Sequence, residues 1–337
     1  MTDQATARAH SNIALVKYWG KRDPTLNLPA ADSLSMTLEA LSTVTPVTFD
    51  TDLSTDQVTL DGQALSAQGR PWRRVATFMD WIRNASGRRT HARVETKNNF
   101  PTAAGLASSA SGFAALAMAA SHAAGLDWDR RRLSRLARRG SGSAARSLFG
   151  GFVHMRAGDR DDGSDAYAEA LFDRHHWPLT CLVALTTSGP KSISSTAGMT
   201  QTQETSPLFE PWRATVAGDI DAASQALKER DFSALTRVAE RSCLRMHATA
   251  LGADPAVLYW QPATVAVIHA VRQARDKGLP CFLTIDAGPH VKVFCPTDQT
   301  LEVRAFLDDL EAVQQVLESG PGPAAQLLDD HATIDTV

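Results

Sequence analysis

The chain has 337 residues, of which 43% are hydrophobic and 21% are charged, and its formal net charge is −3. This composition is ordinary for a globular protein, and the length is enough for two lobes that share one cleft. The slight negative charge argues against a general nucleic-acid or anionic-membrane binder, although a local basic pocket can still hold an anion. We therefore expect small-molecule partners, without nucleic acid or membrane.

The N-terminus and the cysteines indicate a cytoplasmic protein. The first residues lack the apolar core of a signal peptide, and no segment approaches the ~20 apolar residues that span a bilayer. The four cysteines are far apart and form no Cys-x-x-Cys pair. Reduced, buried thiols are therefore expected in place of a zinc site or a disulfide framework.

The first predicted strand covers residues 5–17 and ends in a lysine. Burying an ammonium group without a partner is costly, so Lys17 at the end of an apolar strand indicates contact with an anion. Lys21 and Arg22 follow within a glycine turn. A solvated basic turn is the alternative interpretation of these cations.

The next segments have clear periodicity. Residues 43–51 and 57–60 are rich in β-formers, and the Asp61-Gly62 turn that follows suggests a hairpin. Residues 71–86 carry apolar side chains at helical spacing, which predicts a helix whose apolar face packs on the core.

A strand, a loop rich in small residues and a helix come next. Residues 91–97 alternate as a strand, residues 98–112 read N-N-F-P-T-A-A-G-L-A-S-S-A-S-G, and residues 113–124 form an alanine-rich helix. Small residues let backbone N–H groups approach a ligand, and a helix N-terminus adds free donors, which favours a phosphate site. The loop has no Walker lysine, and a plain packing turn is the alternative.

Arginine is frequent in the following part. The helix predicted at residues 130–139 has arginines that we interpret as a solvated face or a basic patch, without a catalytic role. Beyond it, G-S-G-S-A-A-R places Arg146 one turn after a Gly/Ser turn, as in a clamp for carboxylate or phosphate. A surface salt bridge is the alternative for Arg146. The aspartates of residues 156–165 lack the order of a calcium loop and predict a surface loop.

The second half begins with a buried strand predicted at residues 178–187. K-S-I-S-S-T-A-G-M, residues 191–199, suits a phosphate contact or a lid. Helical patterns then fill residues 207–249, with a break near Asp231. His247 lies in this region, and a lone histidine without a partner motif is interpreted as structural.

The last predicted elements are a helix at 263–277, two paired strands at 281–285 and 291–295, and a helix at 301–317. Asp286 lies in the turn between the strands, where loops on a rigid scaffold often carry function. An aspartate that bonds its own turn backbone is the alternative. The tail after G-P-G-P is expected to fray.

Several blocks resemble one family. P-T-A-A-G-L-A-S-S-A-S-G resembles the phosphate-binding motif of the GHMP kinases. The preceding N-N-F, together with N-I-A-L-V-K-Y-W-G-K-R-D, G-S-G-S-A-A-R-S-L-F-G-G, K-S-I-S-S-T-A-G-M and D-A-G-P, is similar to the diphosphomevalonate decarboxylases. These blocks extend from residue 7 to about residue 295 in the family's order.

The resemblance implies an α+β, two-lobe GHMP kinase fold. Its N-terminal lobe is ribosomal protein S5 domain 2-like and binds ATP, and its C-terminal lobe is ferredoxin-like. We expect the first lobe to cover residues 1–177 and the second residues 178–337.

The implied reaction is that of a carboxy-lyase in the mevalonate pathway of isoprenoid and lipid biosynthesis. Mevalonate 5-diphosphate is decarboxylated with ATP to isopentenyl diphosphate, ADP, phosphate and CO2, by a cytoplasmic homodimer that uses Mg²⁺. Two same-fold alternatives are a 5-phosphomevalonate decarboxylase and a mevalonate 3-kinase. A non-catalytic nucleotide- or metabolite-binding protein is the alternative of another class.

The resemblance also implies roles for individual residues. Asp286, Lys17 and Arg146 are the catalytic set, and no side chain is assigned as a direct metal ligand. The residues implied in substrate binding are Tyr18, Lys21, Ser141, Ser143, Arg146 and Ser194. The residues implied in ATP binding are Pro101, Ala104, Gly105, Leu106, Ala107, Ser108 and Ser109.

Two positions depart from the family pattern. Ala31 and Asp32 stand before Ser33 where the family commonly has Asn and Ser or Asn. A carboxylate there repels an anionic ligand unless it is paired, which keeps the monophosphate substrate open. His290 replaces an asparagine, and no role is predicted for it.

Overall fold

The computed structural model describes residues 3–100, 107–186 and 193–329, in which the chain forms fourteen strands and eight α-helices. The strands are β1 (Gln4–Val16), β2 (Lys21–Asp23), β3 (Leu28–Pro29), β4 (Ser33–Asp50), β5 (Gln57–Leu60), β6 (Gln63–Ala64), β7 (His91–Asn98), β8 (Phe152–Met155), β9 (Ala168–Phe172), β10 (Leu179–Leu185), β11 (Phe282–Ile285), β12 (Val291–Pro296), β13 (Gln315–Ser319) and β14 (Gln326–Leu328). The helices are α1 (Arg70–Ser86), α2 (Ser108–Ala123), α3 (Arg130–Gly140), α4 (Ser195–Thr205), α5 (Phe209–Glu229), α6 (Phe232–Leu251), α7 (Pro262–Asp276) and α8 (Thr300–Asp308), and a 3-10 helix covers Gly142–Leu148.

The first sheet is built around β1 and β4, which pair in antiparallel register with Ala7 opposite Thr45 and Ile13 opposite Met36. Its strands follow the order β14-β1-β4-β7-β5-β6, and β8 and β9 extend it from β4. Alanines on β1 and along α2 are buried in one cluster. Their small side chains let α2 lie close to the sheet, which fixes the position of the N-terminus of this helix.

The second sheet is antiparallel and has the order β11-β12-β10-β13. Along the chain, β10 is followed by helices, then by β11 and β12, then by α8 and β13. This is the ferredoxin-like arrangement that the resemblance implied. The inner strands β10 and β12 are buried on nearly every residue, as expected for continuous apolar runs.

Most predicted elements are confirmed, including the strand at 5–17, the helices at 71–86, 130–139 and 263–277, and the break near Asp231. The Asp61-Gly62 turn joins β5 to β6, and both of its residues have the positive φ of a type I′ turn. The two β-rich runs themselves do not form a hairpin, because β5 pairs in parallel with β7.

The predicted last helix is wrong at its end, and the predicted fraying of the tail is wrong as far as residue 329, whereas residues 330–337 lie outside the described residues. The last helix ends at Asp308, and Gln315–Ser319 forms a strand that pairs with β10. If residues 315–319 were helical, the backbone N–H and C=O groups along one edge of β10 would have no strand to pair with. Pairing satisfies these groups, so the tertiary context overrides the local pattern. The tail does not fray before residue 329, because β14 returns to the first sheet and pairs with β1.

The interpretation of the α3 arginines as a solvated face is wrong for one of them. Arg138 is buried, and its guanidinium donates hydrogen bonds to the carbonyl oxygens of Gly163 and Ala166. Burial lowers its pKa to about 10. Arg138 therefore ties α3 to the loop of residues 156–165, which is otherwise the exposed loop that was predicted.

A buried ion pair secures α1 against the first sheet. Arg83 donates to both carboxylate oxygens of Asp56 over 2.8 and 2.9 Å, and Asp56 also accepts the N–H of Ala92. Removing one partner leaves an uncompensated buried charge, so we expect Asp56→Ala to lower the free energy of unfolding by about 3–5 kcal/mol. Chemical denaturation measures this loss.

The matched control is Asp80→Ala. Asp80 pairs with the same Arg83, but its side chain is 62% exposed. An exposed pair contributes at most about 1 kcal/mol, so the two variants should separate clearly. Equal losses in both would contradict the importance of the buried pair.

Candidate active site

A cleft of about 610 Å³ is lined by elements that belong to both sheets. It takes in the ends of β1 and β11, the first turns of α1, α2 and α4, and the start of the 3-10 helix. Every predicted site residue that lies in the described ranges lines this cleft: Lys17, Tyr18, Lys21, Ala107, Ser108, Ser109, Ser141, Ser143, Arg146, Ser194 and Asp286.

Lys17 and Asp286 form an ion pair at the floor of the cleft. The Lys17 Nζ atom lies 2.6 Å from Asp286 Oδ1 and also donates to the Ala14 carbonyl over 3.0 Å. The Lys17 side chain is 2% exposed, whereas that of Asp286 is 26% exposed. The pair explains how a buried lysine is tolerated, and it leaves the carboxylate accessible to a ligand in the cleft.

Asp286 remains ionised because the cations around it outweigh its burial. Burial acts to raise the pKa of this carboxyl, but Lys17, Lys292 and Arg146 together bring the pKa below its ordinary value. The turn alternative is therefore wrong in its main point, since the hydrogen bond that holds this carboxylate comes from Lys17.

Arg146 lines the same cleft and is held there by two polar side chains. It is 2% exposed, its Nε donates to Asn12 Oδ1 over 3.0 Å, and its Nη1 donates to Ser33 Oγ. Burial lowers the pKa of Arg146 to about 10, while the charge of Asp286 opposes this shift. The surface salt-bridge alternative is wrong, because the described partners of Arg146 are neutral and its cation is left for an anionic ligand.

Tyr18 and a row of serines offer hydroxyl groups. The Tyr18 hydroxyl is buried and has no hydrogen-bond partner within the described ranges, and burial raises its pKa to about 12. Gly142 makes this position possible, because a Cβ there would collide with the Tyr18 ring. The hydroxyl of Ser141 lies 3.3 Å from that of Ser109 and 3.3 Å from that of Ser143. These donors fit a phosphate group.

The rim of the cleft is more basic than the sequence indicated. Arg70, Arg74 and Arg139 line it beside Lys21. Burial, Arg74 and Arg70 all lower the pKa of Lys21, which shows how closely these cations approach one another. A bound anion would relieve this repulsion. The sequence does contain an indication of this basic rim, because the i, i+4 spacing of Arg70 and Arg74 places both on the polar face of α1.

The predicted nucleotide loop is described only in part. Pro101, Ala104, Gly105 and Leu106 lie outside the described residues. Ala107 has a left-handed φ of 59° and precedes α2, whose first turn contains Ser108 and Ser109 and no acidic residue. A left-handed alanine is strained, which is typical of backbone held for function. This helix N-terminus is suited to an anion.

Ser194 caps α4, and its hydroxyl accepts the N–H of Ala197 over 3.1 Å. It still lines the cleft, beside Ser195 and Thr196. Asn12 was not predicted, although an amide inside an apolar strand is a signal for a specific partner. Its Nδ2 donates to the Ser143 carbonyl and the Ser147 hydroxyl, so it positions the Gly/Ser turn as well as Arg146.

The two departures from the family pattern have structural explanations. Asp32 accepts the N–H of Ala157 over 2.7 Å and lies 2.8 Å from His154 Nε2, so its carboxylate is paired and does not line the cleft. His290 is buried, and its Nδ1 accepts the N–H of Thr186 over 3.2 Å. Burial and Lys292 lower the pKa of His290 to about 4, so the ring is neutral and holds β10 to the Asp286 turn.

His247 is structural, as predicted. Its Nε2 lies 3.1 Å from the carbonyl oxygen of Ile285, next to Asp286 in the chain. Burial lowers its pKa to about 3, so it carries no charge at neutral pH.

The fold and the site together define a class of protein. An α+β lobe that presents a helix N-terminus, a ferredoxin-like lobe and an anion-binding cleft formed by both are the features of the two-lobe GHMP fold. Comparisons with known proteins identify the family within that class.

A family model described as the diphosphomevalonate decarboxylase-like N-terminal domain matches residues 9–168, and one for the mevalonate 5-diphosphate decarboxylase C-terminal domain matches residues 181–326. The diphosphomevalonate decarboxylase of Ganoderma lucidum is 38% identical over 324 residues, which cover 89% of this chain and 80% of the relative. The chain belongs to the diphosphomevalonate decarboxylase family.

Solved structures agree with this assignment. A structure of the mevalonate diphosphate decarboxylase from Enterococcus faecalis, concerned with mevalonate diphosphate mediated ATP binding, has a TM-score of 0.89 and 41% identity over 96% of this chain and 98% of that one. A structure of MDDEF in complex with MVAPP, AMPPCP and magnesium has a TM-score of 0.91 and 42% identity, with the same coverage of both chains.

Proposed function

We infer that the chain catalyses the ATP-dependent decarboxylation of mevalonate 5-diphosphate to isopentenyl diphosphate, with release of ADP, phosphate and CO2. The observation that carries this conclusion is the Lys17–Asp286 pair, which faces the same cleft as the buried Arg146. Arg146, which has no carboxylate bound to it within the described residues, can bind the substrate carboxylate, and the ionised Asp286 can accept the hydroxyl proton. The presence of all three residues disfavours a kinase that stops at phosphorylation.

Asp286 acts on the tertiary hydroxyl of the substrate. Hydroxide is a poor leaving group, so ATP first phosphorylates this oxygen, and the Asp286 carboxylate accepts or orients the hydroxyl proton. Such general base assistance contributes typically about 10²–10⁴-fold to the rate. Lys17 holds the carboxylate in place over 2.6 Å.

Arg146 acts on the carboxylate of the substrate. Its planar guanidinium is fixed by Asn12 and Ser33 and binds the substrate carboxylate. When phosphate leaves the tertiary carbon, the electrons of the bond to the carboxylate fill the deficient centre and CO2 departs. Fixing that carboxylate in line with the leaving group therefore favours the elimination.

The diphosphate of the substrate occupies the basic rim. We propose that Tyr18, Lys21, Ser141 and Ser143 donate to it, with Ser194 at the edge of this set. Arg70 and Arg74, which line the same region, add charge. Asp32 does not oppose an additional phosphate, because it is paired with His154 and lies away from the cleft lining.

ATP is proposed to bind at the N-terminus of α2, with Ala107, Ser108 and Ser109 next to its phosphates and Pro101, Ala104, Gly105 and Leu106 completing the loop. Magnesium neutralises phosphate charge when bound. Groups of three or more His, Cys, Asp or Glu suited to a metal do not occur in the described part of the chain. The relative solved with AMPPCP, an ATP analogue, and magnesium supports magnesium as the ion that accompanies the nucleotide.

Product analysis tests the proposal. Purified protein with ATP and magnesium is offered mevalonate, its 5-phosphate and its 5-diphosphate separately, and ADP and CO2 are both counted. We expect equal amounts of the two products from the diphosphate alone. Equal amounts from the monophosphate, or ADP without CO2, would replace the proposal by a neighbouring activity. Nucleotide binding without turnover of any of the three would indicate a binding protein.

We also propose that the protein is a cytoplasmic homodimer. The four cysteines are free and buried, as is typical of a reducing compartment. None of the helices in residues 3–100, 107–186 and 193–329 has the length and apolar character needed to cross a membrane. Sedimentation equilibrium of the purified chain measures the oligomeric state.

We also propose that the chain forms two lobes, residues 1–177 and 178–337. The strand β14 belongs to the second of these ranges but pairs with β1 in the first sheet.

A further inference from the structure

Lys292 is a fully buried lysine that the mechanism above does not use. It lies on β12, an inner strand of the second sheet, with Val183 on one side and Thr284 on the other. Its side chain is 0% exposed, so its charge is not solvated by bulk water. A buried ammonium group is costly unless a specific anion compensates for it.

The anion is Asp286. Lys292 Nζ lies 3.8 Å from Asp286 Oδ2, while Lys17 Nζ lies 2.6 Å from Oδ1. Lys292 also donates to the His290 carbonyl over 3.3 Å, which ties it to the turn that carries Asp286. Each oxygen of this carboxylate therefore faces its own lysine, and the two lysines come from different lobes.

The arrangement differs from an ordinary ion pair in its balance of charge. Two lysines and Arg146 surround one carboxylate, so the site has an excess of positive charge before any ligand binds. In an ordinary structural salt bridge, one cation is sufficient to balance the charge of one carboxylate. The second lysine does not line the cleft, which separates its action from substrate contact.

We propose that Lys292 is a positioning residue for the reaction, which acts from behind Asp286 to fix the plane of its carboxylate and to keep it ionised while ligands bind. This inference rests on the proposed function, since it assigns Lys292 to the group that acts on the substrate hydroxyl. The substrate carboxylate and the phosphates then meet a site in which Asp286 is ionised at neutral pH.

Within the described residues, the other charged or titratable groups near Asp286 are Lys17, Arg146, His247, Cys181 and Cys243. Burial lowers the pKa of His247 to about 3 and raises the pKa of both thiols. Lys292 also lowers the pKa values of His247 and His290, so the titration of Asp286 has to be followed through its own assigned signal.

The experiment compares Lys292→Met and Lys292→Gln with the wild-type protein. In substrate-free protein, the Asp286 carboxyl is titrated by ¹³C NMR, with Asp286→Asn to assign its signal. We expect its pKa to rise by about one unit in both variants. With ATP and mevalonate 5-diphosphate, the acidic limb of kcat/KM should move upward by the same amount, kcat at neutral pH should fall about tenfold, and KM should stay within about twofold.

Cys181→Ala is the matched control, because it changes packing beside Lys292 without changing charge. It should leave the titration of Asp286 and the acidic limb in place. An unchanged Asp286 titration in the Lys292 variants, or a raised KM with an unchanged kcat, would overturn the proposal. Loss of turnover in the wild-type protein would instead refute the proposed function, since the titration needs no substrate.

A variant that retains Lys292 covers the case in which both replacements fail to fold. In Lys17→Met, Lys292 is the remaining lysine beside Asp286. We expect the carboxyl to titrate below its ordinary value of about 3.9 even there. A pKa at or above that value in Lys17→Met would refute the role of Lys292.

Discussion

Asp286→Asn is expected to reduce kcat by about 10²–10⁴-fold, because the amide keeps the shape of the carboxylate but can neither accept a proton nor pair with Lys17. Lys17 would then be a buried cation without the carboxylate that offsets its charge and those of Lys292 and Arg146. The measurement is steady-state release of ADP and CO2 from mevalonate 5-diphosphate. KM should change less than kcat, since Asp286 acts on the reacting oxygen.

The pH dependence of the wild-type protein gives a second view of Asp286. Its pKa is lowered in the folded protein, so the carboxylate is ionised throughout the neutral range. Its contribution to stability and activity is complete above the unfolded value of about 3.9 and is lost only as the pH falls through the lower folded value. An acidic limb of kcat/KM near pH 6 that disappears in Asp286→Asn would contradict this.

Asp32→Asn is the matched control for Asp286. Asp32 is also partly buried and paired, but it does not line the cleft. Its replacement should leave kcat and KM within a few-fold of the wild-type values. A large change in KM for the diphosphate would revive the idea that the Asp32 charge acts on the substrate.

Arg146→Gln should lower kcat/KM by about 30- to 4,000-fold. The loss of one partner in a buried, charge-assisted contact costs about 2–5 kcal/mol, and each 1.4 kcal/mol is a factor of ten. Lysine should not rescue it, because the single nitrogen of an ammonium group cannot reproduce the planar fork with which the guanidinium reaches Asn12, Ser33 and a carboxylate. Single-turnover measurements of ADP and CO2 with the purified variant give the size of the loss.

Arg130→Gln serves as the control for Arg146. Arg130 donates to the Leu148 carbonyl at the end of the same 3-10 helix, but it does not line the cleft. A comparable loss in both variants would mean that the helix, and not the Arg146 cation, is what matters. Full activity of Arg146→Gln would remove it from the proposed mechanism.

Much of the fold was predictable, because the elements are locally consistent. Apolar side chains recur at helical spacing in α1 and α7, and a continuous apolar run forms β10. In each of these segments the local pattern agrees with the structure that forms. β13 was missed because five residues are too few to distinguish a strand from a helix by pattern. What decides that segment is the open edge of β10, which only the assembled sheet provides.

The candidate site was predictable where a residue type was out of place locally. Lys17 at the end of an apolar strand was such a signal, and Lys292 within V-K-V-F carried the same one without being recognised. Arg138 could not be identified, because its charge looks like that of its exposed neighbours in α3. Its burial arises from the loop of residues 156–165, which folds over it.

The sequence by itself determined which chemical groups are available and which backbone segments present them. Short-range rules of periodicity, turn formation and motif order are sufficient for that. The tertiary structure decided which of these groups meet. Lys17 and Asp286 are separated by 269 positions and yet are 2.6 Å apart, because the ends of β1 and β11 face the same cleft. Charge balance depends on such distances, so the pairing of Asp32 with His154 and the approach of Lys292 to Asp286 are visible only in the tertiary structure.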